Sequence, residues 1–302
     1  MKQKIAFILA VLSALLLLIG LMGCNGETQE TSTAQRQTKP APVEKKVEAN
    51  PNEMVFIPAG KCIIGGSADD PVTKFSSPPH EVELKAYWMD RYEVTFEEFM
   101  EFVADTGYES QGNWKDYYSF DNAVRPVFNV TLKDAQAYAE WVGKRIPTNE
   151  EWEKAASWDE VNQVQRRYPW GDEWKDSASN TAETTQGHPM TIGEYAGDVS
   201  FYGVNDMLGN VYEWTASEFE RYPGCKFNDP NYRLKLIAVK GAQFGIQGKV
   251  WYLSARSAFP RNSITAQGFR CVRDATPEEA ELYSEQVKGG SPVIQVWKKS
   301  AE

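Results

Sequence analysis

Hydrophobic and polar positions divide the chain into three stretches of different texture. Met1-Lys2-Gln3-Lys4 is basic, and the run from Ile5 to Ile19 is apolar. That run is short for a membrane span and has the length of the apolar region of a secretory signal, so residues 1–23 are expected to be a leader. Residues 24–51 are mostly Thr, Gln, Glu, Lys, Pro and Ala. With almost nothing to bury, they are expected to form a disordered tether. Beyond them, apolar positions recur at the periods of short strands and short helices. Met54-Val55-Phe56-Ile57-Pro58-Ala59-Gly60 reads as a strand closed by turn residues. His80-Glu81-Val82-Glu83-Leu84 alternates as a half-buried strand, continued by Tyr87-Trp88-Met89.

Three helix starts of one kind follow, each a capping box ahead of an apolar face. Thr95-Phe96-Glu97-Glu98 precedes Phe99, Phe102 and Val103; Thr131-Leu132-Lys133-Asp134 precedes Ala135, Ala139 and Val142; Thr148-Asn149-Glu150-Glu151 precedes Trp152, Ala155 and Ala156. After Ser157 the pattern is loop and short strand. Three segments, 238–244, 251–256 and 267–272, read as core strands joined by glycine-containing loops. The tail, residues 275–302, opens on Thr276 with Pro277 at the first helical position and closes on strand-like Val293-Ile294-Gln295-Val296-Trp297. The pattern leaves open whether that strand lies on the domain or offers an edge to a partner.

One stretch carries most of the candidate chemistry: Asn205-Asp206-Met207-Leu208-Gly209-Asn210-Val211-Tyr212-Glu213-Trp214. Its glycine and amides predict a tight turn at Gly209-Asn210 that enters a short strand. Asp206 and Glu213, with carbonyls between them, are hard oxygen ligands spaced to wrap a Ca²⁺ ion, or else carboxylates that cap backbone N–H groups. At the other end, Leu21-Met22-Gly23-Cys24 resembles a bacterial lipobox, in which Cys24 is lipidated and becomes the first residue of the mature chain. Acyl chains there would hold the protein at a membrane, at about 0.8 kcal/mol per buried methylene.

Composition sharpens this outline. With 10 Trp, 14 Tyr and 14 Phe against a hydrophobic fraction of only 42%, large rings are expected to fill the core of a loop-rich domain. The net charge of −10 argues against nucleic acid as a partner. Setting Cys24 aside leaves Cys62, Cys225 and Cys271, an odd number, so at most one disulfide can form among them.

The ordered segments 54–60, 92–95, 144–156, 168–171, 205–214 and 268–270 together resemble the formylglycine-generating enzyme, or sulfatase-modifying factor, domain family over residues 52–274. The resemblance implies an irregular, loop-rich α+β fold related to C-type lectins, with short helices, short strands and structural Ca²⁺. It places one calcium on the Asp206 and Glu213 side chains and the Gly209 and Val211 carbonyls. A second would use Asn180 and the Thr181 carbonyl, but its remaining ligands fall where this chain is shortened, between Glu183 and Gly203. The family's enzymes bind Cu(I) through two cysteines that follow an Arg-Gly-Gly-Ser-Trp type of segment. Here that segment reads Lys240-Gly241-Ala242-Gln243-Phe244, and no cysteine lies between Cys225 and Cys271. Cys271 takes a structural position whose usual disulfide partner falls at Ala139. A related branch uses a three-histidine iron site, whereas this chain has only His80 and His188. Neither copper nor iron is therefore expected.

On this resemblance a pocket would be lined by Trp214, Gln243, Phe244, Trp251, Arg256 and Arg270, aromatic walls with guanidinium groups suited to a peptide, a sugar or a carboxylate. The alternative is that Trp251 and Arg256 simply fill the core. No Gly-x-Ser-x-Gly elbow, phosphate loop or dinucleotide fingerprint is present. Two functions remain in view. One is a lipid-anchored, non-catalytic binding or assembly module with a protein or peptide partner in the cell envelope. Asn25 after the lipidated cysteine points to the outer membrane for its anchor. The other is an oxidoreductase that modifies a cysteine of an exported protein such as a sulfatase.

Overall fold

The computed structural model describes residues 49–298; the expected leader, Cys24 and most of the tether lie outside them. Four helices each begin at a threonine whose side chain accepts the backbone N–H three residues on, with an acid reaching back to the cap. They are α1 (Phe96–Thr106), α2 (Leu132–Trp141), α3 (Asn149–Ser157) and α4 (Pro277–Lys288). The cap acids are Glu98, Asp134, Glu151 and Glu279. Each box satisfies N–H groups that the first turn leaves without a helical partner. The helix starts therefore fall where the sequence placed them.

The strands are short. One sheet has the order β11 (Val272–Asp274), β4 (Tyr87–Asp90), β1 (Glu53–Ile57), β12 (Ile294–Val296). A second has the order β10 (Gln267–Gly268), β7 (Tyr212–Glu218), β8 (Ile237–Lys240), β9 (Ser257–Phe259). Two ribbons complete the set: β2 (Gly60–Ile64) with β3 (His80–Leu84), and β5 (Trp158–Asp159) with β6 (Val164–Gln165).

Three strand expectations change. Tyr87-Trp88-Met89 does not continue β3; the chain leaves the ribbon at Lys85-Ala86 and joins the first sheet, because all four residues of β4 are buried and need cover on both faces. Residues 251–256 are loop, and the strand starts only at Ser257. The segment 267–272 is split between sheets: β10 runs parallel to β7, and β11 runs antiparallel to β4. Between them Phe269, Arg270 and Cys271 cross from one sheet to the other, fully buried.

Rings fill both cores, as the composition suggested. One gathers Phe56, Trp88, Trp152 and Tyr202; the other gathers Phe99, Phe102, Trp114 and Phe269. In the second, the Phe99 ring sits 5.2 Å from that of Trp114 in an edge contact, a favoured aromatic geometry. The tail belongs to the first core. β12 extends the sheet by pairing Val55 with Ile294, and Tyr283 on α4 stands 5.6 Å from both Phe56 and Trp88.

Arg273 forks onto Glu279 at 2.9 and 2.6 Å, so the last helix is clamped to β11 by its own cap acid. The Arg273 hydrogen bonds hold the Glu279 carboxyl down at about 2. Its unfolded value is about 4.3, so the clasp stabilises the fold above that pH and is lost as pH falls through about 2. Glu279→Ala is expected to cost about 1 kcal/mol at neutral pH. In urea titrations the gap to the parent should close as the pH is lowered from about 4.3 towards 2.

Candidate functional site

The turn predicted at Gly209-Asn210 forms. Asp206, Gly209 and Asn210 all have positive φ, at 58°, 94° and 57°, and β7 begins at Tyr212. Glycine is required at 209 because a Cβ there would lie 2.1 Å from the Asn180 carbonyl oxygen. Polar side chains then stitch the loop from every side. Asn210 donates to Glu93 Oε2 at 2.8 Å and accepts from Met190 N and from Asn180 Nδ2. Asp198 accepts from Met207 N and Leu208 N, and Asp206 Oδ2 accepts from Gly193 N at 2.6 Å.

Glu213 meets Arg270 in a fork, Oε2 taking Nε at 2.7 Å and Oε1 taking Nη2 at 2.8 Å, and also accepts from Trp152 Nε1. Arg270 spends its remaining donors on backbone. Nη1 reaches the carbonyls of Asp90 and Arg91, and Nη2 those of Asn205 and Asp206. Four buried carboxylates, Glu93, Asp198, Asp206 and Glu213, thus surround one guanidinium. Burial pushes Glu93 and Asp198 well above the carboxylate range, with the charge of Asp206 adding to both. Asp206 is pushed up to about 6, again chiefly by burial.

The excess of negative charge and the unpartnered Glu93 Oε1 suit a divalent cation at the loop. Among the described residues, however, no group of three His, Cys, Asp or Glu side chains is gathered to hold a metal by itself. An ion at Asp206 and Glu213 would lean on the Gly209 and Val211 carbonyls and share Glu213 with Arg270. At the expected second calcium site, the Thr181 carbonyl already accepts from Thr184 N, Thr185 N and the Thr184 hydroxyl, while Asn180 Oδ1 has no partner.

The six expected pocket residues are not brought together. Trp214 is fully buried in the second core with Nε1 donating to Val130 O, and Arg270 is fully buried in the clasp, so neither can line an opening. Gln243 folds back onto Gly245 N, Phe244 N is held by Asn210 O, and Trp251 faces Tyr212 at 6.3 Å. Arg256 lines a cleft together with His80 and Tyr222.

The metal-ligating side chains are equally dispersed. Cys62, Cys225 and Cys271 are free and buried, the first two in one core and Cys271 in the other. His80 packs against Tyr222 with ring centres 4.5 Å apart, and His188 meets Arg125 Nη1 at 3.0 Å.

Sequence reasoning missed a second buried ion pair, Lys240 Nζ on Glu153 Oε2 at 2.8 Å, both side chains fully buried. Lys240 also donates to the carbonyls of Leu253 and Ala255, and Glu153 Oε1 accepts from Gly65 N and Gln165 Nε2. A signal existed: Lys240 ends an otherwise apolar core strand, and Glu153 lies beside Trp152 on a helix flanked by alanines. Gly65 and Gln165, which bond to Glu153, also line a cleft of about 670 Å³ together with Gly66, Arg167 and Tyr252.

An irregular α+β fold with few regular elements, knotted around a buried carboxylate loop, places the protein among the C-type-lectin-related folds of the formylglycine-generating type. The chain belongs to the sulfatase-modifying factor enzyme 1-like domain family, which matches residues 38–275. A hercynine oxygenase from Mycolicibacterium smegmatis is 32% identical over 199 residues, covering 56% of this chain and 46% of that protein. The chain spans about half the length of the hercynine oxygenases it matches. A formylglycine-generating enzyme from Bos taurus is 27% identical over 333 aligned positions, covering 86% of this chain and 87% of that enzyme. Among solved structures, PvdO from Pseudomonas aeruginosa shares the fold with a TM-score of 0.59 at 22% identity, over 74% of this chain and 94% of that one.

Breaking the Glu153–Lys240 pair on one side strands a buried charge. Lys240→Met is expected to cost about 3–5 kcal/mol in urea denaturation. The double variant Glu153→Gln/Lys240→Met should recover most of that loss, because neither charge is then left uncompensated.

Proposed function

We propose that the protein is a lipid-anchored, non-catalytic member of its family that serves as a binding or assembly module in the cell envelope. The observation that carries this reading is the distribution of thiols. Positions 226–270 hold no cysteine, and Cys225 and Cys271 are buried in different cores, so the stretch that follows Lys240-Gly241-Ala242-Gln243-Phe244 offers no thiolate pair of the kind that suits Cu(I). The segment Lys240-Gly241-Ala242-Gln243-Phe244 instead supplies a structural cation. Anchoring rests on Leu21-Met22-Gly23-Cys24, with the polar stretch behind it as a leash. Among the described residues no helix is long and apolar enough to cross a membrane. Calcium at Asp206 and Glu213 would act as a structural ion that balances the carboxylates of the loop.

The competing reading is an oxidoreductase acting on an exported protein, favoured by relatives named formylglycine-generating enzyme and hercynine oxygenase. A soluble form beginning at Asn25 separates the two. Elemental analysis is expected to find calcium without stoichiometric copper or iron. A Cys-x-Pro-x-Arg peptide incubated with O₂ and reductant should be recovered unchanged. Copper at one per chain, or an aldehyde product, would overturn the module.

In the full chain, Cys24→Ser should move the protein from the membrane to the soluble fraction on centrifugation; retention in the membrane would refute the anchor. Glu213→Ala should lower the melting temperature and remove its dependence on added Ca²⁺. Identical melting of the parent with and without chelator would show that no calcium is bound.

A further inference from the structure

A cleft of about 500 Å³ opens between the start of α3 and the segment that follows β7. Arg256 forms its floor, and only 8% of that residue is exposed. Its guanidinium lies 3.7 Å from the centre of the Tyr222 ring and 4.8 Å from that of Phe219. Nε donates to Ser76 Oγ, and Nη2 donates to the carbonyls of Phe75 and Glu220. Among the described residues no carboxylate pairs with this cation, and Nη1 has no protein acceptor. A buried guanidinium held only by carbonyls, a hydroxyl and rings is electrostatically incomplete, and an anion at Nη1 would complete it.

A second incomplete group faces the same space. Asn149 is 1% exposed, and its Oδ1 has no hydrogen-bond partner although its Nδ2 donates to the Tyr222 hydroxyl at 2.6 Å. Oδ1 needs an N–H donor. Next to it Glu150 is only loosely engaged, with Asn149 Nδ2 at 3.4 Å and the Ser217 hydroxyl at 3.5 Å. Glu220 and Arg221 stand exposed on the rim. Tyr222 sets the spacing of the two vacancies, because the guanidinium stacks on its ring while the amide holds its hydroxyl. Both groups thus contact one side chain, and Asn149, Tyr222 and Arg256 line the same cleft.

We propose that this cleft binds a small zwitterion of the α-amino-carboxylate class. Its carboxylate sits on Arg256 with help from Arg221, and its ammonium lies between Asn149 Oδ1 and Glu150. The His80 ring, packed edge-on against Tyr222, closes the wall beside the ligand's side chain. A simple anion would leave Asn149 and Glu150 unused, and a simple cation would leave Arg256 unpaired. The inference goes beyond the envelope-module reading and depends neither on the anchor nor on the absence of turnover.

The test is calorimetric titration of the full chain in detergent with each proteinogenic L-amino acid. Acetate, methylammonium, inorganic phosphate and N-acetyl amino acids serve as comparison probes. At least one free amino acid should bind saturably at one per chain, while the single-charge probes bind at least tenfold more weakly. Glu150→Gln and Arg221→Gln, both on the cleft's edge, should each weaken binding tenfold or more while leaving ligand-free melting close to the parent's. The proposal is overturned if no amino acid binds at millimolar concentration or if both variants bind as the parent does. Acetate or phosphate binding as tightly as the amino acid would make this a plain anion site, and equal binding of the N-acetyl form would make it a site for peptide C-termini; either result rejects the zwitterion.

Discussion

One guanidinium holds the architecture together. The chain leaves the second sheet at Gly268 and enters the first at Val272, and Arg270 sits at the midpoint of that crossing with no exposed surface. Its fork on Glu213 fixes it to β7, and its Nη1 fixes it to the carbonyls of Asp90 and Arg91 at the end of β4. Nη2 reaches the carbonyls of Asn205 and Asp206, which tightens the carboxylate loop from within. Arginine suits this post because its donors form a rigid planar fan that satisfies several acceptors at once, whereas an ammonium is a single point. A buried ion pair is not by itself a source of net stability, but one that lacks a partner is severely destabilising. The clasp therefore specifies the arrangement of the sheets more than it deepens their stability.

Much of this was legible along the chain, and the limits of that legibility are physical. Thr95, Thr131, Thr148 and Thr276 announced their helices because a capping box is a local device whose members lie three residues apart. The turn at Gly209-Asn210 was readable for the same reason. Local patterns could not say that β3 and β4 belong to different sheets, because both segments alternate or bury in ways compatible with one long strand. Nor could they reveal that Glu153 meets Lys240 from 87 residues away, or that Arg270 turns inward to Glu213. A charged residue in an apolar segment reads the same whether it snorkels to water or finds a distant partner. The expected pocket failed at Trp214 and Arg270, where ring and guanidinium were read as a lining and proved to be core.

The functional picture follows from what the scaffold keeps and what it lacks. The carboxylate loop, the clasp and the strand crossing are built with care, and each buried donor or acceptor in them is spoken for except a few oxygens such as Glu93 Oε1. By contrast, sulfur and imidazole are scattered, each tied into local packing. Within the segment where the family's copper enzymes begin their catalytic stretch, Lys240 serves the core through Glu153 instead. Another place where the polar accounting does not close is Asn149, whose Oδ1 has no partner, in the cleft that Arg256 also lines.

The central claim, that Arg270 couples both sheets to the carboxylate loop, is most directly tested by native-state hydrogen exchange on Arg270→Lys. This variant keeps the charge and loses the fan of donors. The amides of Asp90, Asn205, Asp206 and Tyr212 bond to Cys271, Arg91, Asp198 and Ala266 respectively. The account predicts that they lose protection together and by a common factor. Loss confined to the amides next to residue 270, with Asn205 and Asp206 exchanging as in the parent, would contradict it.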